Sequence, residues 1–175
     1  TGDKPEASET PSPTEQVSNV DTCILMEADE NMINTYSLLA VNPNAPFTDA
    51  DGNAVSDVKI NADGAETFID WMLSEASKLI KEYGVEEYGD NLFYLKDDAP
   101  KYDDKIANAS DENRVIRLST TTSVKDSGLL DYILPVFEQE YGYKVEVQSA
   151  GTGKAIAAAK YGNADVILVH SKAQE

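Results

Sequence analysis

Cations are scarce in this chain. Against 32 Asp and Glu it sets only 14 Lys and Arg, a net charge of −18 over 175 residues. Such a chain has no basic face to offer a phosphate backbone, which excludes nucleic acid as a partner. Anionic membrane surfaces are equally poor partners. Cysteine occurs once, as Cys23, so no disulfide closes within the chain and no thiolate pair holds a metal. Cys23 reads as a small core residue, since the one histidine, His170, is remote from it in sequence. No run approaches the roughly 18 apolar residues of a membrane span, and no signal-peptide pattern is visible. Neither the GxSxG nucleophile elbow nor the GxxxxGK[ST] phosphate loop is present. No internal repeat stands out.

What is there suits a globular fold. Hydrophobic residues make up 41% and charged residues 26%, the balance of one soluble domain with tails. Residues 1–19 are Pro, Ser, Thr, Glu and Gly with little to bury, and read as a flexible tether. Tethers of this composition follow the lipid-modified cysteine of bacterial surface lipoproteins, although no such cysteine lies in this sequence. From Val20 the chain turns apolar, with strands expected in TCILME and NTYSLLAVNP and a stop at Pro43 and Pro46. In the next loop, DADGN (Asp49, Asp51, Asn53) imitates the opening of a calcium loop. The twelfth position, where a glutamate is needed, is Ile60, so an EF-hand is rejected. Residues 63–83 read as one amphipathic helix, with Phe68, Trp71, Met72, Leu73, Leu79 and Ile80 on its apolar face and Gly84 as its stop. Phe93 and Leu95 form a short hydrophobic latch, and residues 96–113 a polar linker.

Beyond the linker the rhythm is β-α-β-α-β: VIRLST, DSGLLDYILPVFEQEYG, KVEVQSA, GTGKAIAAAKYG and ADVILVHS. That pattern predicts a parallel sheet with right-handed crossovers. Pro135 should kink or shorten the first of the two helices.

Two loops leave the carboxyl ends of successive strands, where open α/β sheets bind ligands. The first carries Thr120, Thr121, Thr122 and Ser123; the second carries Gly151, Thr152 and Gly153. Hydroxyls and free backbone N–H groups at a helix start can hold an anion without any cation. Either loop alone is also explained as ordinary helix capping; the two at equivalent places in consecutive βα units favour a small-anion site. Lys154 either adds charge there or faces solvent. His170 and Ser171 end the third strand, but neighbours on a strand point to opposite faces, so a Ser-His hydrolase is not expected. Ser171 is left to join the anion site or to form a hinge with His170. No catalytic residue, metal site or cofactor is expected.

The motifs TTTS..DSGLL, GTGKA and AD.ILVHS within residues 120–175 resemble the N-terminal part of the tungstate-binding proteins of bacterial ABC transporters, of the type II periplasmic binding-protein fold. ILMEADENMINTYSLLAVNP, AETFIDWMLSEASKLIKEYG and NLFYL are similar to the C-terminal part of the same family. The order of the parts is thus inverted, and the family's middle section, with its Ser-Arg-Gly-Asp segment, has no counterpart. The resemblance implies a circularly permuted α/β lobe of three α-β-α layers, with a mixed, mostly parallel sheet of about five strands. It would span residues 20–175, with 20–95 and 114–175 as the two family parts. It implies a non-enzymatic, extracytoplasmic solute-binding lobe for tungstate, then molybdate, serving an ABC permease from a surface lipoprotein. Thr121, Thr122, Thr152 and Gly153 would donate hydrogen bonds, with Thr120, Ser123 and Gly151 shaping the pocket and Ser171 beside them. A second lobe or a second copy of the chain would complete the clamp. The alternative is an accessory interaction or dimerisation module with little ligand binding of its own.

Overall fold

In the computed structural model the chain divides into two compact units, Thr1–Ile33 and Asn34–Glu175. The structure describes residues 33–100 and 106–170, and the architecture is that of the second unit. The expected tether, the TCILME strand, Cys23 and Ser171 lie outside the described residues.

Four strands form one sheet in the order β1-β4-β2-β3. They are β1 (Ser37–Ala40), β2 (Val115–Thr121), β3 (Lys144–Ala150) and β4 (Val166–Val169). β2 runs parallel to both β3 and β4, while β1 joins β4 antiparallel. The sheet is therefore mixed and mostly parallel, with four strands where about five were expected. The remaining expected strand, over residues 22–27, falls outside the described residues.

Helices cover both faces, as the apolar runs of the inner strands require. On one side α1 (Ala62–Leu73), α2 (Ala76–Glu82) and α5 (Leu129–Tyr141) bury Phe68, Trp71, Ile80, Leu130, Ile133 and Phe137 against Ile116, Leu118, Val145, Val166 and Leu168. On the other, α6 (Thr152–Lys160) sets Ala155 against Ile167 and Val169. The alternation along β4, with Val166 and Leu168 on one side and Ile167 and Val169 on the other, is the period of two that a strand imposes. Aromatic rings centre the larger core: Phe137 lies 4.9 Å from Trp71 and 5.3 Å from Phe68, centroid to centroid. Segments on either side of the linker thus share one sheet and one core.

Three sequence expectations change. The helix over 63–83 is two helices, α1 and α2. The Ser74 hydroxyl donates to the Asp70 carbonyl at 2.5 Å and its backbone leaves the helical region at φ −117°, ψ −88°; side-chain bonding to the preceding turn is a known way to bend a helix. A short helix, α3 (Val85–Tyr88), succeeds Gly84. The helix expected from Asp126 is preceded by α4 (Thr122–Asp126), which takes Thr122 and Ser123 into its first turn. α4 is separated from α5 by Gly128, whose φ of 78° ends one helix and opens the next. Of the two effects expected of Pro135, a kink or a shortening, the shortening is absent: α5 continues to Tyr141 with the proline exposed.

Part of the linker is firmly placed. Ala109 N donates to Tyr141 O at 2.8 Å, and Ile106 packs on the core. Asn61 ties these segments to α1. Its side chain accepts from Gly64 N as N-cap and donates to the carbonyls of Asn113 and Val115 at 2.6 and 2.8 Å. Its own N–H donates to Asp165. Asp49, in the calcium-like loop, accepts from Asp51 N, Asn53 N and Asn53 Nδ2. These bonds, led by the Asn53 side chain, hold its carboxyl below the usual range. The loop closes on itself, and no group of three or more metal-ligating side chains occurs among the described residues.

Candidate functional site

The register of the sheet brings the two sequence loops together. Thr121, the last residue of β2, is the direct partner of Ala150, the last of β3. From there α4 begins at Thr122 and α6 at Thr152. The chain leaves β2 toward the α5 face and leaves β3 toward the α6 face. The crevice between two such departures is where an open α/β sheet has room for a ligand. β4 ends at the same edge, since Thr120 pairs with Leu168. β1, running the other way, begins there, with Ser37 opposite Val169. Tyr36 and His170 therefore flank the crevice.

The candidate residues divide by how their groups are used. Thr120 is fully buried and its hydroxyl donates to the Leu168 carbonyl at 2.8 Å, so it ties β2 to β4 behind the crevice. Thr121 is buried at 3% exposure, and its Oγ1 lies 3.0 Å from the exposed Ser123 Oγ. Thr122 is exposed, and Thr152 half-buried.

No side chain caps either helix start among the described residues. In α6 the N–H groups of Lys154 and Ala155 turn back to Gly151 O. Those of Thr152 and Gly153 are left with no intrahelical acceptor, as the first turn of any helix dictates. Uncapped N–H groups at the positive end of a helix attract an anion.

The two glycines are informative because the backbone does not demand them. Gly151 has φ −63°, ψ 152°, a conformation open to any residue, and Gly153 is not in the left-handed region. A Cβ built on either would meet nothing within 4 Å. Folding has no use for the missing side chains; the empty space lies beside the free N–H groups. Lys154 is exposed and has no ion-pair partner among the described residues. Lys125 is committed to Asp131 at 2.5 Å.

Sequence reasoning missed Tyr36, read there only as part of a strand. Its hydroxyl lies 3.1 Å from Ser123 Oγ, and its ring meets that of His170 edge-on, with centroids 5.0 Å apart. A cavity of about 380 Å³ is lined by Glu82, Tyr83, Gly84, Glu86, Glu87, Tyr88 and Tyr132. It contains none of the candidates, and its three carboxylates repel an anion.

The described residues thus form an α/β lobe with two loops opening at the carboxyl ends of its central parallel strands. In comparison with known proteins, residues 107–175 match the PBP superfamily domain. The chain is similar to the tungstate-binding protein TupA of Peptoclostridium acidaminophilum, with 57% identity over 60 residues, 34% of this chain and 21% of that protein. Among solved structures it is similar to the tungstate-binding protein TupA from Desulfovibrio alaskensis G20 (37% identity, 34% of this chain and 24% of that one, TM-score 0.33). It is also similar to a conserved protein of unknown function from Vibrio parahaemolyticus (53% identity, 33% and 24%, TM-score 0.32). The resemblance read from TTTS, GTGKA and AD.ILVHS thus holds over the C-terminal third. The chain spans about a fifth of the length of the curated relatives it matches.

Proposed function

We propose that this chain is a solute-binding lobe for a tetrahedral oxyanion, tungstate first and molybdate next. It acts outside the cytoplasm, delivers its ligand to an ABC permease and carries out no reaction on it. The observation that carries this reading is the pairing of Thr121 with Ala150. It brings the end of β2, which leads into Thr122 and Ser123, level with the end of β3, which leads into Thr152 and Gly153, and a Cβ at Gly151 or Gly153 would meet nothing within 4 Å. Thr120 supports the site from behind, and Ser171 belongs to the proposed set on the ground of its sequence position alone. Neutral donors and a helix terminus suit a dianion in a chain of net charge −18. The permuted order is supported by β1 pairing with β4 and by α1 packing on α5. A second lobe or second copy supplies the remaining donors, and a lipid anchor holds the longer protein at the cell surface, as the composition of residues 1–19 suggests.

Titration calorimetry with sodium tungstate tests the reading. A single lobe supplies only half of a clamp, so the dissociation constant should exceed about 1 μM. Gly153→Ala should keep or slightly raise the melting temperature, because alanine favours a helix more than glycine does. It should nevertheless abolish binding by filling the space beside the N–H groups. No uptake of tungstate by the wild type, or an unaltered titration for Gly153→Ala, refutes the site; a submicromolar constant refutes the half-clamp account.

A further inference from the structure

Three hydroxyls line up at the crevice. Tyr36 Oη is 3.1 Å from Ser123 Oγ, and Ser123 Oγ is 3.0 Å from Thr121 Oγ1. The line runs from the segment before β1, through the first turn of α4, to the end of β2. It leads from buried Thr121 out to exposed Ser123.

Each hydroxyl carries one proton and can accept as well as donate. Two links among three hydroxyls use two protons, and whichever way the links point, one proton remains undonated. None of the three hydroxyls has another hydrogen-bond partner among the described residues. The line is therefore a donor awaiting an acceptor, and successive bonds in such a chain strengthen one another.

The phenol is the most acidic of the three hydroxyls, so the alignment Thr121 to Ser123 to Tyr36 places the strongest donor at the free end. The His170 ring, packed edge-on at 5.0 Å, fixes the tyrosine ring. Little side-chain freedom then remains to be lost when a ligand arrives.

We propose that Tyr36 is a ligand-binding residue: its hydroxyl donates to the bound oxyanion at the end of the Thr121–Ser123–Tyr36 chain. This rests on the oxyanion reading of the crevice. It also gives the antiparallel strand a role in binding, since a segment N-terminal to the linker completes a site built by β2 and β3.

Tyr36→Phe keeps the ring against His170 and removes only the hydroxyl. Its melting temperature should match the wild type, while tungstate affinity by calorimetry should fall about tenfold, the loss of one charge-assisted hydrogen bond. In the wild type, the Tyr36 13Cζ resonance, identified by its absence in Tyr36→Phe, should shift on saturation with tungstate; a purely structural tyrosine would not show this. If Tyr36→Phe titrates like the wild type, or the resonance stays in place, while Gly153→Ala still abolishes binding, the Tyr36 assignment is overturned and the crevice reading stands. A wild type that takes up no tungstate overturns both.

Discussion

Replacing Asp165 with alanine should unfold this protein more readily than any surface change. The carboxylate is 1% exposed and accepts four hydrogen bonds. Asn61 N and Arg117 Nη2 reach Oδ1 at 2.9 and 2.6 Å, and Arg117 N and Nε reach Oδ2 at 2.7 and 3.0 Å. In the alanine variant Nη2 keeps the Lys59 carbonyl and Nη1 keeps that of Gly162. The N–H groups of Asn61 and Arg117, and Nε, lose their acceptor. Each buried donor left unpaired costs about 1–3 kcal/mol. The Arg117 side chain is 28% exposed, so water recovers part of that loss. The total is about 3 kcal/mol, at the low end for a broken buried ion pair. At about 2–4 °C per kcal/mol for a chain of this size, the melting temperature should drop by about 6–12 °C. Asp165→Asn, which keeps the shape and one acceptor oxygen, should lose less. Urea unfolding of Asp165→Ala, Arg117→Ala and the double variant should show a coupling of at least about 1 kcal/mol. An Asp165→Ala protein melting within about 2 °C of the wild type would falsify the claim that this cluster clamps the two segments together.

The Tyr143 hydroxyl is buried with no hydrogen-bond partner among the described residues, so Tyr143→Phe should be neutral or stabilising by up to about 1 kcal/mol in urea unfolding. Gly162 has φ 71°, and a Cβ there would stand 2.2 Å from Val58 Cγ1. Gly162→Ala should therefore cost about 2–3 kcal/mol in the same assay, from left-handed strain plus overpacking. Tyr141 donates to Glu75 at 2.5 Å, and that bond, with partial burial, pushes the phenol up to about 12. Its folded value being raised, the stability this hydroxyl confers is complete below about pH 10 and is lost as the pH climbs toward 12. The 13Cζ titration of Tyr141 should show the high midpoint, and Glu75→Ala should return it toward the ordinary value.

The β-α-β-α-β half was legible because its signals are local. β-Branched runs marked β2, β3 and β4, small residues marked α6, and β3 falls on KVEVQSA as read. The split between α1 and α2 was not legible, because 3.6-residue periodicity passes through Ser74 unbroken; only the hydroxyl's bond to Asp70 O reveals the bend. α4 was hidden for a related reason. Thr122 and Ser123 read as a strand end with capping potential, yet they enter the helix themselves. Tyr36 escaped because its partner Ser123 lies 87 residues away. Arg117 and Asp165 escaped likewise, across 48 residues. The site's loops were written in sequence; what brings them to one crevice was written in the register of the sheet.

The acidity of the chain makes the sign of a salt effect diagnostic. A site built on lysines or arginines loses affinity for an anion as salt rises, because the attraction is screened. Here the donors proposed are hydroxyls and backbone N–H groups, while the body carries −18. A dianion at roughly one radius of gyration, about 16 Å for this length, meets roughly 9 kcal/mol of repulsion in unscreened water. A Debye length of about 8 Å at physiological salt cuts this to roughly 1 kcal/mol. Tungstate binding should therefore tighten as sodium chloride rises from about 20 to 150 mM, when the Debye length contracts from roughly 20 Å to 8 Å. Lys154→Ala should leave the slope unchanged, since Lys154 is exposed and outside the donor set. Calorimetry across that range decides the matter: affinity falling steeply with salt would mean that cations, and not the neutral cradle of Tyr36, Thr122, Thr152 and Gly153, hold the anion.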